Sequence, residues 1–337
     1  MLYVTTCNTR DAFTVRHTLT QSRGEDGGLY VPLRFPKLTE QEVRSFLQMS
    51  FGQCVAEMLN QFFSTKLSGW DVDFSVGRYP VRMEPLGHRI YMAEVWHNLQ
   101  WHYGYLEEKL RQLLESEEQA SGNWPDVACA MAVLAGLLGS REIPQTGAVD
   151  IALVSGDFTA AMAARYLRDM GFPIGNIICC CNENKQPWDL LCNGQVHTDE
   201  SCVSTIIPEA DVTLPVNLER LIFACGGAAE VQRYRDCRET GATYAASEGT
   251  LQKLRQGLYV SVVSSDRVET TIPNVYNTHQ SVLSPASALA YSGLLDYRTK
   301  TGITREAMVL CDKSPQWAVE VVAKAMNLTV GELEKII

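Results

Sequence analysis

Apolar and polar positions repeat with two different periods along this chain, and each change of period marks an element. Val149-Asp150-Ile151-Ala152-Leu153-Val154 is a short β-branched run between Gly147 and Gly156, the pattern of a buried strand. From Thr159 to Met170 small and apolar residues recur at helical spacing, and the Ala-rich face permits close approach to a sheet. Gly171-Phe172-Pro173 stops that helix, and residues 177–181 return as a second buried strand. Strand, helix and strand with short joints make a βαβ unit, which implies a parallel sheet covered on both faces.

The rest of the chain reads as packing around this unit. A strand is expected at 2–6, a short helix at 12–20, a turn at 24–28 and a strand at 29–31 that Pro32 ends or places at an edge. Thr39 with Glu42 matches a capping box opening a helix at 40–48, and a second helix follows at 51–63. Residues 64–90 look irregular, 90–95 strand-like and 105–117 amphipathic helical. Asn217 is a good cap for a helix beginning there, whereas 233–256 are charged and weakly periodic. A strand at 258–264, a helix at 284–295, a last strand at 307–311, a helix at 315–326 and a box of Thr329 with Glu332 complete the pattern. The expected fold class is α/β: an open, mostly parallel sheet with helices on both faces, plus a small N-terminal α/β region.

Composition narrows the partners. The chain has 337 residues, 46% hydrophobic and 20% charged, with a formal net charge of −10 and no basic cluster. That balance argues against nucleic acid and anionic membrane. The longest apolar run, 127–139, is too short to span a bilayer. Eleven cysteines show no metal-ligand spacing, and Cys179, Cys180 and Cys181 read as small hydrophobes of a buried strand. An odd cysteine count without a recognisable leader favours a reducing cytoplasm.

Chemistry is expected where strands of a parallel sheet end. The turn Ser155-Gly156-Asp157-Phe158-Thr159 leads from a strand into a helix N-terminus, where amides and the helix dipole favour an anion. Asp157 instead suits a cap, and its carboxylate would repel a phosphate at ~4–5 Å. His97 and His102 stand five apart, which suits neither helical chelation nor a strand, so no metal site is expected. No nucleophile–base–orienter set marks these histidines or any cysteine as cofactor-free catalysts.

Several segments, in order, resemble threonine synthase, a pyridoxal-phosphate (PLP) enzyme of fold type II, the tryptophan synthase β-like group. Gly24 to Pro32 (GEDGGLYVP) is similar to the family's "APDGGLYVP", and Met170 to Gly175 to its "MGLPIG". Asn182-Glu183-Asn184 resembles "NEN", Asn217 to Phe223 (NLERLIF) resembles "NLERLLF", and Lys313-Ser314-Pro315 falls at the family's "TASP". The resemblance implies the type II fold and a regional division: a threonine-synthase-like N-terminal region at 1–88, a remnant of the cofactor-lysine segment and shortened small domain at 89–146, and the large domain at 147–337.

The same comparison implies lost chemistry. The family's Schiff-base lysine lies in a motif like "ELFHGPTLAFKD"; here that place, counted from Glu94, is Gly104. The phosphate loop "GNFG" is replaced by Gly156-Asp157-Phe158-Thr159, the "SGDTG" segment has no counterpart, and the pyridine partner falls at Cys311 or Asp312. These changes imply that PLP-dependent conversion of O-phosphohomoserine to threonine is absent and no cofactor is held. The degenerate cofactor-binding set is Ser155, Gly156, Asp157, Phe158 and Thr159 with Asn182 and Asp312. The scaffold is then a binding or interaction module for an amino-acid-like molecule or a genuine threonine synthase. The alternative is an active carbon–oxygen lyase with Lys313 as relocated amine.

Overall fold

The computed structural model describes residues 1–77, 81–95, 105–117, 120, 122–144 and 146–337. Strands β1 (Leu2–Thr5), β2 (Phe13–Thr14) and β3 (Tyr30–Pro32) form a small antiparallel sheet in the order β2-β1-β3. Pro32, which cannot donate to a ladder, closes the edge strand β3. Further along run β4 (Arg82–Pro85), β5 (Ile90–Glu94), β6 (Val149–Val154), β7 (Ile174–Cys181), β8 (Gln195–His197), β9 (Thr243–Ala245), β10 (Leu258–Val262) and β11 (Ala307–Cys311). The main sheet has the order β10-β7-β6-β11-β5-β4 and is parallel except for β4 against β5. Strands β8 and β9 pair separately.

The unbroken apolar runs of β6 and β7 follow from burial on both faces. Ile151, Leu153, Ile177, Cys179 and Cys181 join the core under helices Phe51–Phe63, Trp124–Leu138 and Thr159–Met170. Ala152, Ile178 and Cys180 point the other way, into the core under Ser265–His279 and Pro285–Thr301. A period of two with both phases apolar is the signature of a sheet sandwiched between helix layers. The helix carrying Gly293 approaches so closely that a Cβ there would stand 2.2 Å from the Cys180 sulfur. Cysteine serves in this strand as a small apolar filler.

Three segments differ from the sequence reading. Within 64–90, the helix Gly69–Val76 forms behind a capping box of Ser68 and Asp71, although Trp70 and Phe74 stay exposed and blur its apolar face. Residues 12–20 begin as β2 before the helix Val15–Thr20. Within 233–256, the helix Leu218–Thr240 continues past a break at Gly227 (φ 76°, ψ −173°), then β9 and the helix Glu248–Leu254 follow. The outer half of that long helix is largely solvated, which removed its periodic signal.

Two buried charged residues bind the N-terminal sheet to the helix Leu218–Thr240. Arg220, fully buried, donates to the Tyr30 carbonyl from Nε (3.0 Å) and Nη2 (2.9 Å). Its neighbour Glu219, 1% exposed, accepts from the Leu29 amide at 3.2 Å and pairs with Arg23 at 3.1 Å. Burial pushes the Arg220 guanidinium down to about 10, which leaves it charged at neutral pH.

Candidate functional site at the carboxyl edge of the sheet

The parallel strands end on a common edge. Strand β6 runs into Ser155-Gly156-Asp157-Phe158-Thr159, β7 into Asn182, β11 into Asp312 and Lys313, and β5 stops at Glu94. Gly104, His97 and His102 lie outside the described residues.

The turn after β6 is tightly wound. Gly156 has φ +44° and Phe158, completely buried, has φ +67° at the N-cap of the helix Thr159–Met170. The Phe158 amide donates to the Ser155 carbonyl at 2.8 Å, and the Thr159 amide donates to Asp157 Oδ1 at 2.9 Å. Asp157 thus occupies with its own carboxylate a helix-terminal amide that an anion would otherwise use. Asn217 braces the turn from outside: its amide donates to the Asp157 carbonyl at 3.0 Å and its Nδ2 to Thr159 Oγ1 at 2.9 Å.

A loop missed by the sequence reading closes over this turn. Pro208–Ala210 is a single 3₁₀ turn, and the Glu209 carbonyl oxygen lies 3.3 Å from where a Cβ on Gly156 would stand. The loop is fastened by Asp211, which accepts from Asn182 Nδ2 at 2.6 Å, Thr205 Oγ1 at 2.7 Å and the Thr205 amide at 2.8 Å. Asn182, fully buried, also accepts from the Asn184 amide at 2.9 Å. The Asn182 side chain is therefore committed to holding the loop. In the sequence Pro208 suggests no more than a turn here.

On the far side of the same loop, Glu209 Oε1 lies 3.6 Å from Lys313 Nζ. Lys313 is 7% exposed and lines a cavity of about 450 Å³ with Glu209, Ser284, Pro285, Trp317 and Glu320. Asp312 sits next to it; burial pushes its carboxyl up, while Lys313 pulls it back. At the adjacent strand end, burial raises Glu94 to about 7 against the opposing pull of Arg82 at 3.8 Å.

The structure thus joins Gly156 to Lys313 through Glu209 and commits Asn182 elsewhere. These residues do not fit a phosphorylated cofactor. The turn after β6, which the family resemblance equates with a phosphate loop, carries a carboxylate on its helix-terminal amide and a peptide carbonyl near its glycine, and both are acceptors that disfavour an acceptor-rich dianion. Among the described residues no group of three or more His, Cys, Asp or Glu could hold a metal ion, and no helix is long and apolar enough to cross a membrane.

Residues 2–75 match the family model described as threonine synthase N terminus. PLP-bound threonine synthase from Brucella melitensis superposes with a TM-score of 0.80 at 18% identity, covering 97% of this chain and 92% of that one. Threonine synthase from yeast gives 0.82 at 13% identity, covering 99% and 93%. In sequence, threonine synthase-like 1 of Macaca fascicularis is 26% identical over 195 residues, 56% of this chain and 26% of that protein. The match therefore spans about a quarter of the length of that relative. The architecture is that of the fold type II PLP proteins. Residues 2–75 are thus similar to the threonine synthase N terminus, and the fold is that of the solved threonine synthases.

Proposed function

We propose that this chain keeps the threonine synthase-like scaffold as a binding module and does not convert O-phosphohomoserine to threonine through PLP. The observation that carries the reading is the double use of Glu209. Its carbonyl lies against Gly156 of the former phosphate turn, and its carboxylate pairs with Lys313. With Asp157 bonded to the Thr159 amide, the turn is closed to a phosphate, while the cavity beside it stays open. At residue 104, where the family resemblance places the Schiff-base lysine, stands a glycine without an amine. An open, partly polar cavity favours a small amino-acid-like ligand over a protein partner such as a genuine threonine synthase.

The test is direct. The purified chain is incubated with PLP, reduced with borohydride and digested, and phosphate release from O-phosphohomoserine is followed in parallel. No lysine adduct and no release above a no-enzyme control are expected. One observation favours a second reading, a lyase using a relocated amine: Lys313 is buried at the end of β11 beside a ligand-sized space. A reduced adduct on Lys313, together with turnover lost in Lys313→Ala, would establish that reading in place of the first.

A further inference from the structure

We propose that the helix Gly69–Val76 is a docking ridge for another protein and receives an arginine-bearing segment of that partner. The inference goes beyond the binding-module reading and does not depend on what the cavity beside Lys313 holds. Val72 and Val76 belong to the core on one face of the main sheet, whereas Ala286 of the cavity belongs to the core on the other. The two surfaces are therefore separate.

The helix turns its small apolar residues inward and its large ones outward. Val72 and Val76 are buried, while Trp70 is 69% and Phe74 77% exposed. The two aromatics stand one turn apart, and their rings stack with centroids 5.1 Å apart and planes at 17°. Stacking hides only the ring sides that meet; the outer sides face solvent. Adjoining large aromatics left in water mark an interaction surface rather than the single apolar residues scattered over any protein. Aromatic and arginine side chains are both enriched where proteins meet.

Charge decides what covers the ridge. Residues 51–77 carry Glu57, Asp71 and Asp73 against one cation, Lys66. At about 100° per residue, Asp71 and Asp73 fall on either side of the aromatic stripe, with Val72 and Val76 opposite it. Asp71 accepts from the Ser68 amide and hydroxyl at 2.7 Å each, and Asp73 lies against Gly52. Neither carboxylate pairs with a cation among the described residues. Glu57 adds a third acid one turn beyond Gln53, which touches Gly69. A guanidinium is planar: it extends an aromatic stack and forks onto a carboxylate, so one arginine answers ring and acid together. A lysine ammonium answers the charge alone. A second copy of the chain would set the same carboxylates ridge to ridge. Nucleic acid and anionic membrane meet the same repulsion from a chain of net charge −10.

Fluorescence anisotropy of three labelled peptides against the whole chain tests this. One is built of leucine, alanine and arginine, the second has lysine for each arginine, and the third has glutamine. The arginine peptide is expected to bind, with the lysine peptide weaker by about threefold or more, the scale of one exposed cation–π contact, and the glutamine peptide weaker still. Trp70→Ala and Phe74→Ala remove exposed rings without changing the charge, and each should weaken the arginine peptide by a similar factor. Asp73→Asn should do so too, with the loss shrinking in salt. Equal binding of the arginine and lysine peptides would reveal only general attraction to an acidic chain and overturns the proposal. So does no arginine-peptide binding to about 1 mM. Sedimentation of the chain alone is expected not to change with Trp70→Ala; a dimer abolished by that substitution would give the ridge to a second copy instead. Because the arginine–lysine comparison uses the wild-type chain, it decides the matter even if a variant fails to fold.

Discussion

The Arg220 guanidinium and the Tyr30 carbonyl, linked by hydrogen bonds of 3.0 and 2.9 Å, tie together two segments 190 residues apart in sequence. Both segments carry the family resemblance, and in both the resembling residues hold the scaffold. Their retention accounts for the fold without requiring the chemistry. Replacing Arg220 with Ala leaves the Tyr30 and Gly122 carbonyls and the Asn217 side chain without their buried cationic partner. A loss of about 3–5 kcal/mol is expected, and Arg220→Lys should recover part of it because a single ammonium cannot reproduce the fork. Urea unfolding checks both, and a loss below ~1 kcal/mol for Arg220→Ala would show that the link does not hold the N-terminal sheet.

Glu94 gives the fold a pH dependence. Its carboxyl rises to about 7 from an ordinary 4.5, so between those values the folded chain binds more protons than the unfolded one. Its contribution is fully present below the unfolded value and is lost as pH rises through about 7. A shift of this size corresponds to roughly 2–4 kcal/mol. Glu94→Gln should therefore gain stability relative to wild type between pH 5 and pH 8. A constant difference in urea midpoint across that interval would contradict the assignment.

Asp157 is expected to set the sign of the turn after β6. Asp157→Asn keeps an acceptor for the Thr159 amide and removes the charge. At ~4 Å a unit charge contributes about 1–4 kcal/mol between bulk water and a protein surface. Inorganic phosphate should then bind about tenfold more tightly to the variant at low ionic strength, with the gain shrinking in salt. Equilibrium dialysis with radiolabelled phosphate measures it; equal binding to both proteins would mean that the turn is closed by sterics alone.

Gly156 should resist substitution. At φ +44° an alanine pays the left-handed penalty of about 1–2 kcal/mol. Its Cβ would also press on the Glu209 carbonyl at 3.3 Å. Gly156→Ala is expected to destabilise the chain, and to loosen the Pro208–Ala210 turn as seen by faster amide exchange at Ala210, which donates to Ile207. Unchanged exchange there would place the strain elsewhere.

Thiol labelling separates the cysteines. Cys192 and Cys202 are exposed and should react in the folded chain. Cys179, Cys180 and Cys181 are fully buried, and burial pushes all three thiols up, so they should react only in denaturant. Rapid native labelling of any of the three would contradict their packing role.

Local pattern sufficed wherever burial imposes a period. The β6 run, its following helix, β7 and β11 were legible because a residue facing a helix layer must be apolar, and two covered faces make every position so. The caps at Thr39 and Thr329 were legible because each joins residues three apart. The helix Gly69–Val76 escaped because its Trp70 and Phe74 face solvent, which breaks the link between hydrophobicity and burial.

The sequence by itself determined the α/β class, the resemblance to threonine synthase and the glycine at residue 104, since each is written in local period or in residue identity. Only the tertiary structure decided what packs against the turn after β6. Glu209 meets Gly156 and Lys313 because β6 and β11 lie side by side in the sheet and the loop after β8 crosses above their ends. Such contacts depend on the packing of distant segments, which no local period encodes.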